Sequence, residues 1–187
     1  LREPLEDKVV SVARARASNV FPANFMLIAA LNPCPCGHLG TPRCECMPHN
    51  IEKYKRKISG PVADRIDMWV QVGNLAPEAL MKKAKKASGE AEKARARIQS
   101  AREIQAKRFK DAKGITTNAD MKAKHIESHA YLSEKAEKTL VEAAHRLKLS
   151  PRGYHRTIKL ARTIADLSES GSIETPHMLE ALQYRVR

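Results

Sequence analysis

Aromatic residues supply only 4% of this 187-residue chain, with a single Trp. So few large rings, beside a second half dominated by Lys, Ala, Glu and Arg, argue against a β-sandwich and for helices. Long apolar runs are also missing. Stretches such as "FMLIAAL" at 25–31 fall far short of the ~20 residues that cross a bilayer. No basic start followed by an apolar core and a small-residue cleavage site opens the sequence, so nothing points to secretion. A cytoplasmic protein without membrane attachment is the expectation. Acidic residues are in deficit, 21 against 34 Lys and Arg, giving a formal charge of +13. That balance suggests an anionic partner, nucleic acid or nucleotide, and leaves the fold open. None of the eight glycines belongs to a G-x-x-x-x-G-K-[ST] motif. No apolar strand ends in paired acids either, so the phosphate cradle and the carboxylates that hold Mg²⁺ are both lacking.

Cysteine is absent everywhere except "NPCPCGHLGTPRCEC", which holds Cys34, Cys36, Cys44 and Cys46. The spacing is C-x-C, seven residues, C-x-C. Two pairs joined by a loop containing Gly37, Gly40 and Pro42 can fold back so that four sulfurs converge. Thiolates favour zinc, and four of them make a closed structural site with no open coordination position. His38 and His49 are substitutes for one ligand. Packed free thiols and redox or iron–sulfur chemistry are the alternatives. A disulfide staple does not suit a cytoplasmic protein, and neither pair has the C-x-x-C redox form.

Along the chain, "LREPLEDK" reads as the tail of a helix, and "VVSVAR" and "NVFPAN" as a hairpin around the basic tip "ARAS". "FMLIAAL" has the length and continuity of a strand covered on both faces, and "MWVQVG" reads as another strand. Between them "IEKYKRKI" forms a short helix and "VADRID" a brief helical segment. From Pro77 to about Phe109 strong helix formers surround Gly89, giving two helices or one interrupted helix. "KGITTNAD" reads as a linker. Helices are then expected over about 119–130, 133–147, 151–168 and 175–184, with starts signalled by Ser133, Ser150 before Pro151, and Thr175 before Pro176. These readings divide the chain into a strand-containing part, 1–75, and an all-helical part, 76–187. Twelve Lys or Arg against four acids between Lys82 and Lys113 form either a solvated helix face or a phosphate-facing stripe.

Three polar residues stand where ligands gather. Asn32 ends the apolar run, and open α/β sheets bind ligands beyond strand ends; it can equally cap the loop that follows. Arg65, in "SGPVADRID", is either a surface ion-pair partner of Asp64 or Asp67 or an arginine offered to a neighbour's phosphate. Arg152 falls in the first turn of a helix. A cation there is disfavoured by about 0.3–1 kcal/mol unless an anion sits nearby. An apolar stripe of Tyr154, Ile158, Ala161 and Ile164/Ala165 faces the core, leaving Arg152, Arg156 and Arg162 to point elsewhere.

Taken together, "LREPLEDK", "FPANFMLIAALNPCPCG", "YKRKISGPVADRID" and "LSPRGYHRTIKLARTIADL" closely resemble the C-terminal half of magnesium-chelatase-like AAA+ ATPases of the ComM/YifB type, over nearly the whole chain. The resemblance implies an α/β remnant of an AAA+ core (hairpin plus parallel strands) followed by an all-α helical lid. Asn32 then matches the sensor-one position that places the hydrolytic water, Arg65 the arginine finger, and Arg152 the sensor-two arginine. Arg14 and Arg16 lie in the hairpin that faces DNA in related helicases, and the four cysteines match the family's own cysteine-rich loop. Ala63 and Gly153 depart from the family's usual Leu and Ala.

The resemblance further implies ATP and Mg²⁺ as cofactors, a homo-hexameric ring, and single-stranded or branched DNA as partner of a competence-type helicase or branch-migration motor. Because the phosphate-binding motifs are lacking and the chain opens mid-helix, it is expected to be a fragment that does not hydrolyse ATP unaided. Two other functions fit the same residues: the motor subunit of a magnesium chelatase, and a zinc-loop DNA-binding module with no motor role.

Overall fold

A computed structural model describes residues 2–14, 17–58, 60–73 and 89–185. The chain divides into two compact units, Leu1–Ile66 and Asp67–Arg187.

The first unit begins with helix α1 (Arg2–Asp7). Lys8, at φ 58°, turns the chain out of the helix into strand β1 (Val9–Arg14), which pairs antiparallel with β2 (Ala17–Pro22). The register runs from Val9 opposite Pro22 to Arg14 opposite Ala17, and the Ala23 amide donates to the Lys8 carbonyl at 2.7 Å just beyond it. Ser11 ties the hairpin to α1 by donating its hydroxyl to Glu3 at 2.5 Å. The hairpin is present as expected, and so is the first short helix, as α2 (Pro48–Arg56); the second, α3 (Gly60–Ala63), begins ahead of the expected segment and ends before Asp64, so most of "VADRID" is not helical.

The two parallel strands are not. Among the described residues the only sheet is the β1–β2 hairpin. Residues 23–32 and 68–73 carry no ladder. A strand buried on both faces needs neighbours to bond it and helices to cover it. Without them Met26 and Ile28 are 83% and 82% exposed, and Val72 is 90% exposed. Among the described residues of this unit a single side chain is buried, that of Cys34. Its described residues therefore form no apolar core of their own.

The elements described in the second unit are helical: α4 (Glu90–Arg108), a 3₁₀ turn (Asn118–Asp120), α5 (Ala123–His129), α6 (Glu134–Leu147), α7 (Pro151–Leu167) and α8 (Thr175–Gln183). Helix α7 is the hub, packing against α4, α5, α8 and the 3₁₀ turn, while α6 closes onto α8. Leu140, Ile158, Ala161, Ala165, Ile173 and Met178 lie at the centre of the core. The caps are local: Ser133 Oγ accepts from the Ala136 amide and Ser150 Oγ from the Gly153 amide, satisfying amides that open a helix without a carbonyl partner.

Two expectations change here. The segment 113–120 is no mere linker. Asp120 gathers the amides and hydroxyls of Thr116 and Thr117, and the resulting turn buries Ile115 and Asn118. Arg162 does not point away from the core; it is fully buried. It lies 3.0 Å from Asp166, which also accepts from Arg108 and Asn118, and it donates to the carbonyls of Ser170 and Gly171. A buried guanidinium is tolerable when its donors and its charge are both answered.

Candidate functional site

The cysteine loop is built from three successive turns. The Gly37 amide donates to the Cys34 carbonyl at 3.0 Å, the Thr41 amide to His38 at 3.0 Å, and the Cys44 amide to Thr41 at 3.1 Å. Gly37 and Gly40 take φ values of 82° and 84°, a region that favours residues without a Cβ. These reversals bring all four sulfurs within 4.8 Å of one another. Cys34 Sγ lies 3.4 Å from Cys36 Sγ and 3.9 Å from Cys44 Sγ, and Cys36 and Cys44 are 3.7 Å apart.

Those distances fit a metal. Four sulfurs placed about 2.3 Å from a common centre at tetrahedral angles are about 3.8 Å apart. A disulfide would need about 2.0 Å, and all four thiols are free. The protonation pattern has the same cause. The His38 backbone amide, donating to Cys36, lowers that thiol to about 6. On Cys46 the Cys36 backbone amide acts in the lowering direction, but the Cys36 side chain, burial and Cys34 outweigh it and push the thiol up to about 12. One thiolate is easy and further ones repel it, until a divalent cation cancels the repulsion. His38 and His49 are both exposed and are not part of the four-sulfur group.

Asn32 follows the extended run 23–31 directly and is exposed. Its side-chain amide rests over Gly37, with Cγ and Nδ2 each 3.9 Å from where a Cβ on that glycine would stand. Sequence reasoning places Asn32 near the loop but does not find this contact, which depends on the turn at Cys34–Gly37.

Arg65 follows α3 and is largely enclosed. Its Nε lies 2.9 Å from Glu6 of α1, and its Nη1 donates to the Pro61 carbonyl at 2.6 Å. Its ion-pair partner is therefore neither Asp64 nor Asp67, the acids beside it in sequence. Asp67 pairs with Arg156 of α7 in the second unit. Glu6 has no sequence signal that singles it out.

Arg152 is exposed in the first turn of α7, directly after Pro151, and that turn contains no acid. Gly153, next to it, is buried; a Cβ there would stand 3.2 Å from Arg185 Nη2 and 3.4 Å from Ser150 Oγ. An alanine at this position thus needs the Arg185 guanidinium to give by a few tenths of an ångström. Arg14 closes β1 at its pairing with Ala17, and Arg16 lies outside the described residues, as does the 82–86 part of the basic stripe. Over 90–99, helix α4 is exposed at every position, so Lys93, Arg95 and Arg97 face solvent. Among the described residues no helix is long and apolar enough to cross a membrane.

Known families and proteins match this chain over nearly its whole length. The family described as magnesium chelatase, subunit ChlI, matches residues 1–80, and that described as magnesium chelatase, subunit ChlI C-terminal, matches residues 88–185. Competence protein ComM of Haemophilus influenzae is 38% identical over 185 residues, covering 99% of this chain and 35% of the relative. The uncharacterized protein YifB of Escherichia coli is 34% identical over 185 residues, with the same coverage. An uncharacterized protein of Mycobacterium tuberculosis is 35% identical over 186 residues, covering 99% of this chain and 36% of the relative. The chain thus spans about a third of the length of the curated relatives it matches. With both family models matched in order along it, this chain belongs to the magnesium-chelatase ChlI family, on its ComM/YifB side.

Proposed function

We propose that the chain is the C-terminal part of a cytoplasmic, ring-forming AAA+ ATPase that couples ATP hydrolysis to the remodelling of single-stranded or branched DNA. The observation that carries this reading is the similarity to a competence protein over 99% of the chain. In it the first unit contributes the distal part of the nucleotide-binding domain and the second unit its helical lid. The apolar run 25–31 becomes a sheet strand once partner strands cover it, which accounts for the exposure of Met26 and Ile28.

Each residue has a definite task. Asn32 orients the attacking water. Arg65 reaches the γ-phosphate of a neighbouring subunit, with Glu6 holding its guanidinium in readiness. Arg152 contacts nucleotide phosphate from the first turn of α7, where amides and helix dipole also favour an anion. ATP and Mg²⁺ are bound by a phosphate cradle and acids outside these 187 residues. Arg14 and Arg16 of the hairpin, together with the basic face of α4, contact DNA. The four cysteines hold a structural Zn²⁺ that shapes the loop.

The test is Arg65→Ala in the protein at the length of its relatives, assembled as a homo-hexamer. Turnover falls by about 10³-fold or more, the range for loss of an arginine finger, while ATP still binds. Unchanged turnover would sink the assignment. The family description supports a second reading, the motor subunit of a magnesium chelatase; copurification with a chelatase partner and no DNA binding would favour it. The sulfur geometry supports a third, a zinc-loop DNA-binding module, which requires tight, salt-sensitive DNA binding by this chain alone and no effect on any ATPase.

A further inference from the structure

Cysteine cluster and Asn32 are neighbours both along the chain and in space, and among the described residues of the first unit no apolar core supports either. Asn32 is joined to Cys34 through Pro33 alone, whose ring restricts the backbone between them. From the other side its amide leans on Gly37, the residue after Cys36. Gly37 is itself placed by the turn that its amide closes onto the Cys34 carbonyl. No hydrogen bond among the described residues holds the Asn32 side chain. The apolar run leading into it is exposed, and Cys34 is the one buried side chain of the unit's described residues. The position of the Asn32 amide is therefore coupled to the turn Cys34–Gly37, and that turn carries two of the four converging sulfurs.

The geometry points to a metal-dependent positioning device: a thiophilic divalent ion on Cys34, Cys36, Cys44 and Cys46 fixes the Asn32 side-chain amide, and loss of the ion releases it. Four thiolates around one cation leave no position for substrate, so the ion's task is mechanical. It supplies the rigidity that an apolar core supplies elsewhere, and small units without a core depend on such staples. The consequence for turnover rests on Asn32 being the water-orienting residue, as proposed above; the consequence for the amide itself does not.

The experiment follows the Asn32 side-chain NH₂ pair by NMR in this chain, assigned by its disappearance in Asn32→Ser, while Zn²⁺ or Co²⁺ is added and then withdrawn with a chelator. One metal per chain is expected, with the thiolate-to-cobalt charge-transfer bands of a four-sulfur site. The Asn32 pair moves from the position of a freely averaged amide on loading and returns on chelation. Gly37→Ala keeps all four sulfurs but strains the backbone at φ 82°; it binds cobalt and displaces the Asn32 pair. Failure to bind metal, or binding that leaves the Asn32 pair unmoved in both forms, overturns the inference.

In the protein at the length of its relatives, chelation lowers ATP turnover by about 10²-fold, the cost of a misplacement near 1 Å, at unchanged ATP affinity. If Asn32→Ala leaves turnover intact, the water-orienting role is wrong while the metal-dependent amide shift can still stand. If Asn32→Ala abolishes turnover yet chelation alters neither amide nor rate, the positioning device is wrong and the motor reading survives.

Discussion

Replacing Asp166 with Ala tests how the helical unit is held together. Asp166 is fully buried and accepts from Arg108 Nη1 at 2.8 Å, Arg108 Nη2 at 2.5 Å, Asn118 Nδ2 at 2.7 Å and Arg162 Nε at 3.1 Å. Its removal leaves two guanidiniums facing each other without a counter-charge. Arg162, with no exposed surface, keeps only the carbonyls of Ser170 and Gly171. Burial already lowers the pKa of that guanidinium, and Asp166 is the group that opposes the effect. Asn118 is better placed, since Thr163 Oγ1 remains 3.1 Å away as an acceptor.

Breaking a buried pair by deleting one partner costs about 3–5 kcal/mol. For a unit of this size that lowers the melting temperature by roughly 10–20 °C. Calorimetry or denaturant titration followed by helical circular dichroism measures it. The triple replacement Arg108→Met, Asp166→Leu, Arg162→Met supplies the control. With every charge removed it should recover most of the loss, because the single variant suffers from stranded charge rather than from a missing attraction. A loss below about 1 kcal/mol for Asp166→Ala, or a triple variant no better than the single one, would refute the reasoning.

Ser150→Ala removes the acceptor of the Gly153 amide at 3.1 Å and should cost about 1 kcal/mol in denaturant unfolding, a typical loss for an N-cap; a change within experimental error would mean that α7 is capped by other means. Glu174 lies below its ordinary value of 4.5, chiefly because the Ser172 hydroxyl donates to it and secondarily through Ser133. A depressed carboxylate contributes its stabilisation in full above that value and loses it as pH falls through the lowered one. The Glu174 side-chain NMR titration should thus show a midpoint under 4.5 that rises in Ser172→Ala.

Helices α6, α7 and α8 were legible to within a residue or two because their signals are local. Ser133 and Ser150 announce starts, Pro151 suits a first turn, and the stripe from Tyr154 to Ala165 repeats at helical spacing. Convergence of the four cysteines was legible for the same reason, since spacing and glycine placement are written in thirteen residues. What escaped depends on partners distant in sequence. Arg162 sits on the flank of the apolar stripe, and its burial is answered by Asp166 and by the Ser170 and Gly171 carbonyls, on an aspartate that Arg108 and Asn118 also engage from elsewhere in the chain. Arg65 finds Glu6 at the opposite end of its unit. The runs at 25–31 and 68–73 declare a need for cover, and an apolar run carries no information about whether cover is present. The Thr-Thr-Asn-Ala-Asp turn, by contrast, could have been read: a Thr followed three residues later by an acid is a helix-start signature.

Because Cys34 is the lone buried side chain of the first unit's described residues, tolerance to mutation there differs in kind from that of the helical unit. A packed core spreads its requirements over many positions, each forgiving of a similar shape. On the proposed metal-site reading, the demand here collapses onto four sulfur atoms and the glycines that let the chain double back. No serine, alanine or valine stands in for a thiolate. Surface drift through the rest of the loop goes unpunished, while one lost cysteine is felt at once.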